Sequence, residues 1–328
     1  MKYNTFISKK KYLELCKKEY ICIYNQPWFL DTVCGDKNWD VILCQKGEEI
    51  VGAYPFYIKR KYGMNYITCP YRVQHNGVWI KMYSNQSHIK KVSYENEIMS
   101  AMISKMEEEI HKRKIYNYRQ AFSPDIKNWL PFYWKKFKQT TRYTYRINNI
   151  QDINDVYKNF FADKKRNIKK AEKSNVTLGF DLDAREFYDF HRECLKEEGK
   201  NIFYSFEIFE RIYDSLYNHN AGRILYAMDS KGNVLNAMFS GYDERWGYNW
   251  YHAISKKARS SGTTDWLVFE MIKYLSSIGV KGFDFEGSMI PGVEESFRHY
   301  GGGQEPYFVI FKTYTNNPLV RYFINRKQ

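Results

Sequence analysis

Apolar and polar positions along this chain change period twice in the same order. Residues 41–59 alternate in strand fashion on either side of Lys46-Gly47, and residues 224–242 do so on either side of Lys231-Gly232, so each stretch reads as a two-stranded hairpin. After the first hairpin the pattern predicts a strand region over 66–80, a helix over 97–111 and a strand over 116–122. A short aromatic helix over 129–137 and a strand over 143–147 follow. After the second come a strand over 247–254, a helix over 264–277, a strand over 283–287, a helix over 293–300 and a strand over 306–314. Two helical segments precede each hairpin, over 9–18 and 27–33 and again over 184–198 and 205–217. The order matches element for element, which predicts a duplicated domain of the α/β (α+β) class. The halves are expected at 1–150 and 151–315, joined where 148–155 breaks the pattern, with 316–328 a helix returning to the first domain.

Composition narrows the class. A chain of 328 residues, 44% hydrophobic and 18% aromatic, can bury two cores and is not disordered. It has no apolar run of membrane-spanning length and no apolar N-terminal leader, so a cytoplasmic protein is expected. Six scattered cysteines form no Cys-x-x-Cys pair, and the histidines form no His-Glu-x-x-His; neither a serine-hydrolase elbow nor a phosphate-binding Walker loop is present. No metal is expected. The net charge of +14 is uneven: residues 1–150 carry 26 basic against 13 acidic side chains, and the remainder is nearly balanced. A basic first half attracts nucleic acid, phosphorylated precursors or, peripherally, an anionic membrane surface.

The candidate chemistry sits in the second half. Phe283 and Phe285 share one face of the strand over 283–287, which places Asp284 and Glu286 on the other. Paired carboxylates raise one another's pKa, which suits a base near neutral pH; the alternative is that Asp284 pairs with a basic residue and holds the strand. Ser261, Gly262 and Thr263 lead into the helix over 264–277 and offer caps and free N–H groups at its start. Arg298, ahead of three glycines, could clamp a phosphate bidentately. Arg166, Lys169, Lys170 and Lys173 fall on one helical face and read as an anion-binding strip. Arg72, Gln74 and His75 interrupt the alternation of the 66–80 strand, as residues lining a polar cleft do.

This order of elements resembles the GNAT acyltransferase fold. Doubled in one chain, it is similar to the FemABX aminoacyltransferases and their acetyltransferase-like relatives, over nearly the whole length. The resemblance is carried by Asn25-Gln26-Pro27-Trp28-Phe29-Leu30, by Pro70-Tyr71-Arg72-Val73-Gln74-His75-Asn76-Gly77 and by Arg166-Asn167-Ile168-Lys169-Lys170-Ala171. It is clearest in Phe283-Asp284-Phe285-Glu286-Gly287 with Phe297-Arg298-His299-Tyr300-Gly301-Gly302. It implies two tandem GNAT-like domains, each a mixed, splayed sheet flanked by helices. It also implies transfer of an acyl or aminoacyl group from acyl-CoA or aminoacyl-tRNA, as co-substrate, to an amine of a cell-envelope precursor, with no tightly bound cofactor.

On that resemblance Glu286 and Asp284 are the expected base or amine-orienting groups and Tyr251 an acid for the leaving group. Arg72, Gln74, His75 and Trp250 are expected on the acceptor, and Arg259, Ser261, Gly262, Thr263 and Arg298 on the donor. The chain departs from the GNAT pattern at Ala258-Arg259-Ser260-Ser261-Gly262-Thr263, which keeps one glycine where the CoA pyrophosphate loop has two small residues. Two alternatives stand beside the envelope transferase. One is an acyl-CoA N-acetyltransferase acting on an amino sugar or small amine. The other is a non-catalytic double-GNAT module that binds RNA or an anionic glycolipid.

Overall fold

The structure is a computed structural model that describes residues 2–84 and 87–315. The segment expected to return as a helix, 316–328, lies outside the described residues. The first elements in chain order are β1 (Asn4–Ile7), α1 (Lys9–Cys16), α2 (Pro27–Cys34), β2 (Trp39–Lys46) and β3 (Glu49–Lys61). They are followed by β4 (Met64–Thr68), β5 (Trp79–Ile80), α3 (His88–Lys112), β6 (Ile115–Ala121) and α4 (Leu130–Trp134). Then come β7 (Lys138–Ile147), α5 (Ile153–Asn159), α6 (Ala162–Lys173), β8 (Thr177–Phe180), α7 (Ala184–Lys196) and α8 (Phe206–Asn218). The chain continues with β9 (Gly222–Met228), β10 (Val234–Tyr242), β11 (Trp246–Ile254), α9 (Thr263–Ser277), β12 (Gly282–Asp284), α10 (Pro291–Arg298) and β13 (Gly303–Thr313).

Contacts divide the chain into two units. One is Met1–Arg142 together with the stretch from Pro306; the other is Tyr143–Glu305. In the first unit the strands run β1-β2-β3-β4-β6-β13, with β5 on β3. In the second they run β7-β12-β11-β10-β9-β8. Each sheet is antiparallel except at one step, β4 beside β6 and β11 beside β12, where the pairing is parallel across a helical crossover. These are the mixed sheets that the resemblance implies.

The division differs from the expected one in its last strands. Residues 143–147, expected to close the first half, pair with β12 in the second unit through Phe283↔Ile147 and Asp284↔Arg146. The strand expected to close the second half pairs with β6 in the first unit, from Val309↔Ala121 to Thr313↔Asn117. Each unit is therefore completed by a strand from the other half of the sequence. Local periodicity identifies a strand but not its partner, and both strands alternate in the same way.

The cores follow from helical spacing. On α3, Ile98, Met102, Met106 and Ile110 recur every four residues and bury against Tyr54, Phe122 and Ile310. On α9, Leu267, Met271 and Leu275 do the same against Phe283 and Phe285, while Ile168 and Ala171 bring α6 into that core. Both hairpins turn where expected, with Gly47 and Gly232 in the left-handed region at φ +59° and +80°.

Candidate active site

The parallel step of the second unit opens into a cleft. β11 pairs with β12 only through Trp246↔Gly282, Gly247↔Phe283 and Tyr248↔Asp284, and β11 then runs on to Ile254 alone on that side. Beyond Asp284 the chain turns to β7. The Phe285 N–H donates to the Tyr145 carbonyl at 3.0 Å. Glu286 and Gly287 take positive φ, +60° and +65°, and a β-carbon at Gly287 would lie 2.0 Å from the Tyr143 carbonyl oxygen. Glycine is required there, where the chain beyond β12 runs against β7. A β-bulge adds to the opening: Phe239 faces Tyr251 and Ser240 faces Asn249, which leaves Trp250 as the extra residue.

The corresponding step of the first unit is closed by its own chain. After β4 the backbone forms a loop over 69–78 rather than the continuous strand expected over 66–80. The Asn76 N–H donates to the Ala121 carbonyl at 2.8 Å, and Cys69 Sγ accepts from the Ala121 N–H at 3.2 Å. Gln120 Nε2 donates to Asn76 Oδ1 at 3.0 Å and to the Pro55 carbonyl at 3.1 Å. Arg72, Gln74 and His75 lie in this loop. His75 is buried with its ring 4.9 Å from Tyr24, and Arg72 has φ +58°. The broken alternation is thus the signature of a plug, not of a strand lining a cleft.

The two carboxylates have separated. β12 ends at Asp284, so Glu286 does not share a strand face with it. Asp284 is 0% exposed and accepts from Thr144 Oγ1 at 2.5 Å, Arg146 Nε at 2.6 Å and the Glu286 N–H at 2.8 Å. Its oxygens are committed to holding β12 on β7, which corrects its expected place as a base. Glu286 is half-buried where the chain leaves β11, with its backbone anchored on Asp284.

Other expected residues are also bound into the fold. Tyr251, expected as an acid for the leaving group, is 2% exposed and packs among Phe187, His191, Tyr204, Phe209 and Phe239. Trp250, expected on the acceptor, is buried with its ring over Gly241 and beside Tyr248. Arg298 pairs with Glu294 of its own helix at 3.1 Å. Arg259 pairs with Glu198.

The start of α9 is filled by α6. Gly262 has φ +84°, and a β-carbon there would lie 2.2 Å from the Asn167 carbonyl oxygen. Ser261 Oγ donates to the Ala258 carbonyl at 2.7 Å and meets Thr263 Oγ1 at 2.7 Å, while the Thr263 N–H donates to it at 3.2 Å. In the first turn, Asp265 accepts from Lys164 Nζ at 2.9 Å, Asn167 Nδ2 at 2.7 Å and the Tyr300 hydroxyl at 2.5 Å. Lys164 also donates to Ser296 Oγ at 3.0 Å. A GNAT fold implies an acyl-CoA donor, whose diphosphate would use this helix start. The residues present do not fit it, because a carbonyl oxygen and a carboxylate already face the positive end of the helix. Lys164 and Asp265 escaped the sequence reading, although Lys164, Ile168 and Ala171 share one face of α6 and place that lysine inside.

The opposite face of α6 is basic as expected. Lys165, Arg166, Lys169, Lys170 and Lys173 line an open groove of about 600 Å³. Lys170 donates to the Ser260 carbonyl at 2.6 Å, whereas Arg166, Lys169 and Lys173 form no ion pair among the described residues. On β11, burial and nearby His191 lower the His252 imidazole to about 4 against an upward pull from Asp265, so it is neutral at pH 7. Among the described residues no cluster of His, Cys, Asp and Glu could hold a metal, and no helix is long and apolar enough to cross a membrane.

Residues 158–308 match the family model of the acetyltransferase (GNAT) domain. Among solved structures, FemX is similar with a TM-score of 0.72 at 14% identity, over 97% of this chain and 99% of that one. The tandem GNAT protein of the clavulanic acid biosynthesis pathway has a TM-score of 0.53 at 7% identity, over 94% and 97%. L-PGS from Bacillus licheniformis has a TM-score of 0.51 at 12% identity, over 84% and 85%. At such identities these likenesses show the fold. No protein with a curated description matches the sequence.

Proposed function

We propose that this chain, whose residues 158–308 match the acetyltransferase (GNAT) domain model and whose fold is like that of tandem GNAT proteins, is an acyltransferase that transfers an aminoacyl group from aminoacyl-tRNA to an amine of a cell-envelope precursor. The observation that carries the choice of donor is the closure of α9 by α6. The usual seat of a CoA diphosphate holds the Asn167 carbonyl and Asp265 instead. The basic face of α6 supplies the complementary feature, since Arg166, Lys169 and Lys173 are available to successive phosphates of a polyanion. Solved relatives described as FemX and L-PGS support the reading by fold alone.

Chemically, amide formation needs a deprotonated amine held in line with a polarised ester carbonyl. The cleft between β11 and β12 offers space for that encounter, and Glu286 at its closed end takes the amine proton. The amine nitrogen then attacks the ester carbonyl carbon and the C–N bond forms; the ribose oxygen leaves with the electrons of the C–O bond and takes up the proton from Glu286, so the tRNA departs with its hydroxyl restored and Glu286 is again a carboxylate. Replacing Glu286 by Gln is the test. The expected loss in kcat is about a hundredfold to ten-thousandfold, the range for a positioned base, with melting temperature and tRNA affinity unchanged. If activity survives, or if binding and folding fail with it, Glu286 is not the base.

The non-catalytic alternative predicts no transfer by the wild-type protein at all, which the same assay reads. The acyl-CoA alternative is separated by donor binding.

A further inference from the structure

We propose that α4 and the lysines that follow it form a docking surface for an anionic lipid bilayer. Leu130, Tyr133 and Trp134 lie three and four residues apart on one turn and are 43%, 59% and 52% exposed. Slack in the loop does not explain this. Pro131 and Phe132, between them in sequence, are buried, and the Phe132 ring stands edge-on to Phe122 at 5.0 Å and to Phe137 at 5.4 Å. The turn is closed by Lys136 N–H to the Tyr133 carbonyl at 2.9 Å and Phe137 N–H to the Phe132 carbonyl at 3.0 Å. The packing that anchors Phe132 therefore holds three large apolar side chains toward solvent.

The charge around them selects the partner. Lys136 and Lys138 are exposed directly after the apolar turn, and residues 1–150 carry 26 basic against 13 acidic side chains. Tryptophan and tyrosine favour the headgroup region, leucine reaches the acyl chains, and lysine meets anionic lipid. A single-stranded nucleic acid would use the aromatic rings and lysines but has no place for Leu130. The surface is independent of the acyl donor, so this inference does not rest on the choice between tRNA and CoA.

The test is co-sedimentation of the full chain with vesicles of phosphatidylcholine alone and of phosphatidylcholine mixed with phosphatidylglycerol. Binding is expected only to the mixed vesicles and should weaken with salt. The double variant Tyr133→Ser/Trp134→Ser should lower the partition coefficient on the order of tenfold or more. Lys136→Glu/Lys138→Glu should lower it and flatten the salt dependence, with circular dichroism unchanged in both because Phe132 stays in place. The proposal is overturned if wild type ignores the mixed vesicles, or if neither variant alters the binding. A Tyr133/Trp134 variant that loses affinity for polyuridylate but not for vesicles would overturn it in favour of a nucleic-acid surface.

Discussion

Lys164 and Asp265 form an ion pair at 2.9 Å, nearly shielded from water, with the lysine on α6 and the carboxylate in the first turn of α9. The Tyr300 hydroxyl and Asn167 Nδ2 complete the carboxylate's hydrogen bonds. This pair fastens α6 across a helix start that the fold would otherwise offer to a phosphate. Removing only the lysine leaves a buried carboxylate uncompensated, at a cost of about 3–5 kcal/mol. Lys164→Met should therefore lower the denaturation midpoint sharply, and Lys164→Met combined with Asp265→Leu should recover much of it. Urea titration of the two variants measures the difference.

Gly262 should tolerate no side chain. Its φ of +84° and the 2.2 Å approach to the Asn167 carbonyl penalise a β-carbon twice. Gly262→Ala should cost roughly 1–3 kcal/mol from backbone strain alone, and more if α6 must move. A melting curve beside that of Gly292→Ala, where a β-carbon meets nothing within 4 Å, provides the control.

The two carboxylates once expected to act together should now behave differently. Asp284→Asn removes the carboxylate charge that buried Arg146 and Thr144 meet and should destabilise the fold, detected as a fall in melting temperature. Glu286→Gln should leave melting unchanged and reduce turnover. A reversal of these two phenotypes would place the chemistry on Asp284.

His252 gives a pH dependence with a definite sign. Its folded pKa of about 4 lies below the 6.5 of an unfolded histidine, so the unfolded chain takes up the proton first as pH falls. The stability this residue contributes is present above pH 6.5 and is lost between 6.5 and about 4, by roughly 3 kcal/mol. Denaturant titrations across that interval should show the decline, and His252→Gln should flatten it.

Much of this was legible in the sequence, but unevenly. The hairpins at Gly47 and Gly232 and the helix carrying Leu267, Met271 and Leu275 were readable because turn chemistry and side-chain period are local. The exchange of β7 and β13 was not, since register with β12 and β6 is set by contacts well over a hundred residues apart in sequence. The surroundings of the candidate site residues divide in the same way. The basic strip of α6 is a helical-face property, whereas the fates of Asp284 and His75 depend on Arg146 and Tyr24, which spacing does not pair with them. Two adjacent left-handed residues, Glu286 and Gly287, ended the alternation on which the shared carboxylate face relied.

If α6 takes the place of a CoA diphosphate and turns its basic face to a polyanionic donor, binding of tRNA and of CoA will tell the two donors apart. The most direct measurement is a pair of titrations of the purified protein, with aminoacyl-tRNA and with acetyl-CoA, each at low and moderate salt. The account predicts tRNA binding that weakens steeply with salt and is reduced in Arg166→Glu/Lys169→Glu/Lys173→Glu, with no saturation by acetyl-CoA. Saturable, salt-tolerant binding of acetyl-CoA, unaffected by those substitutions, would contradict it.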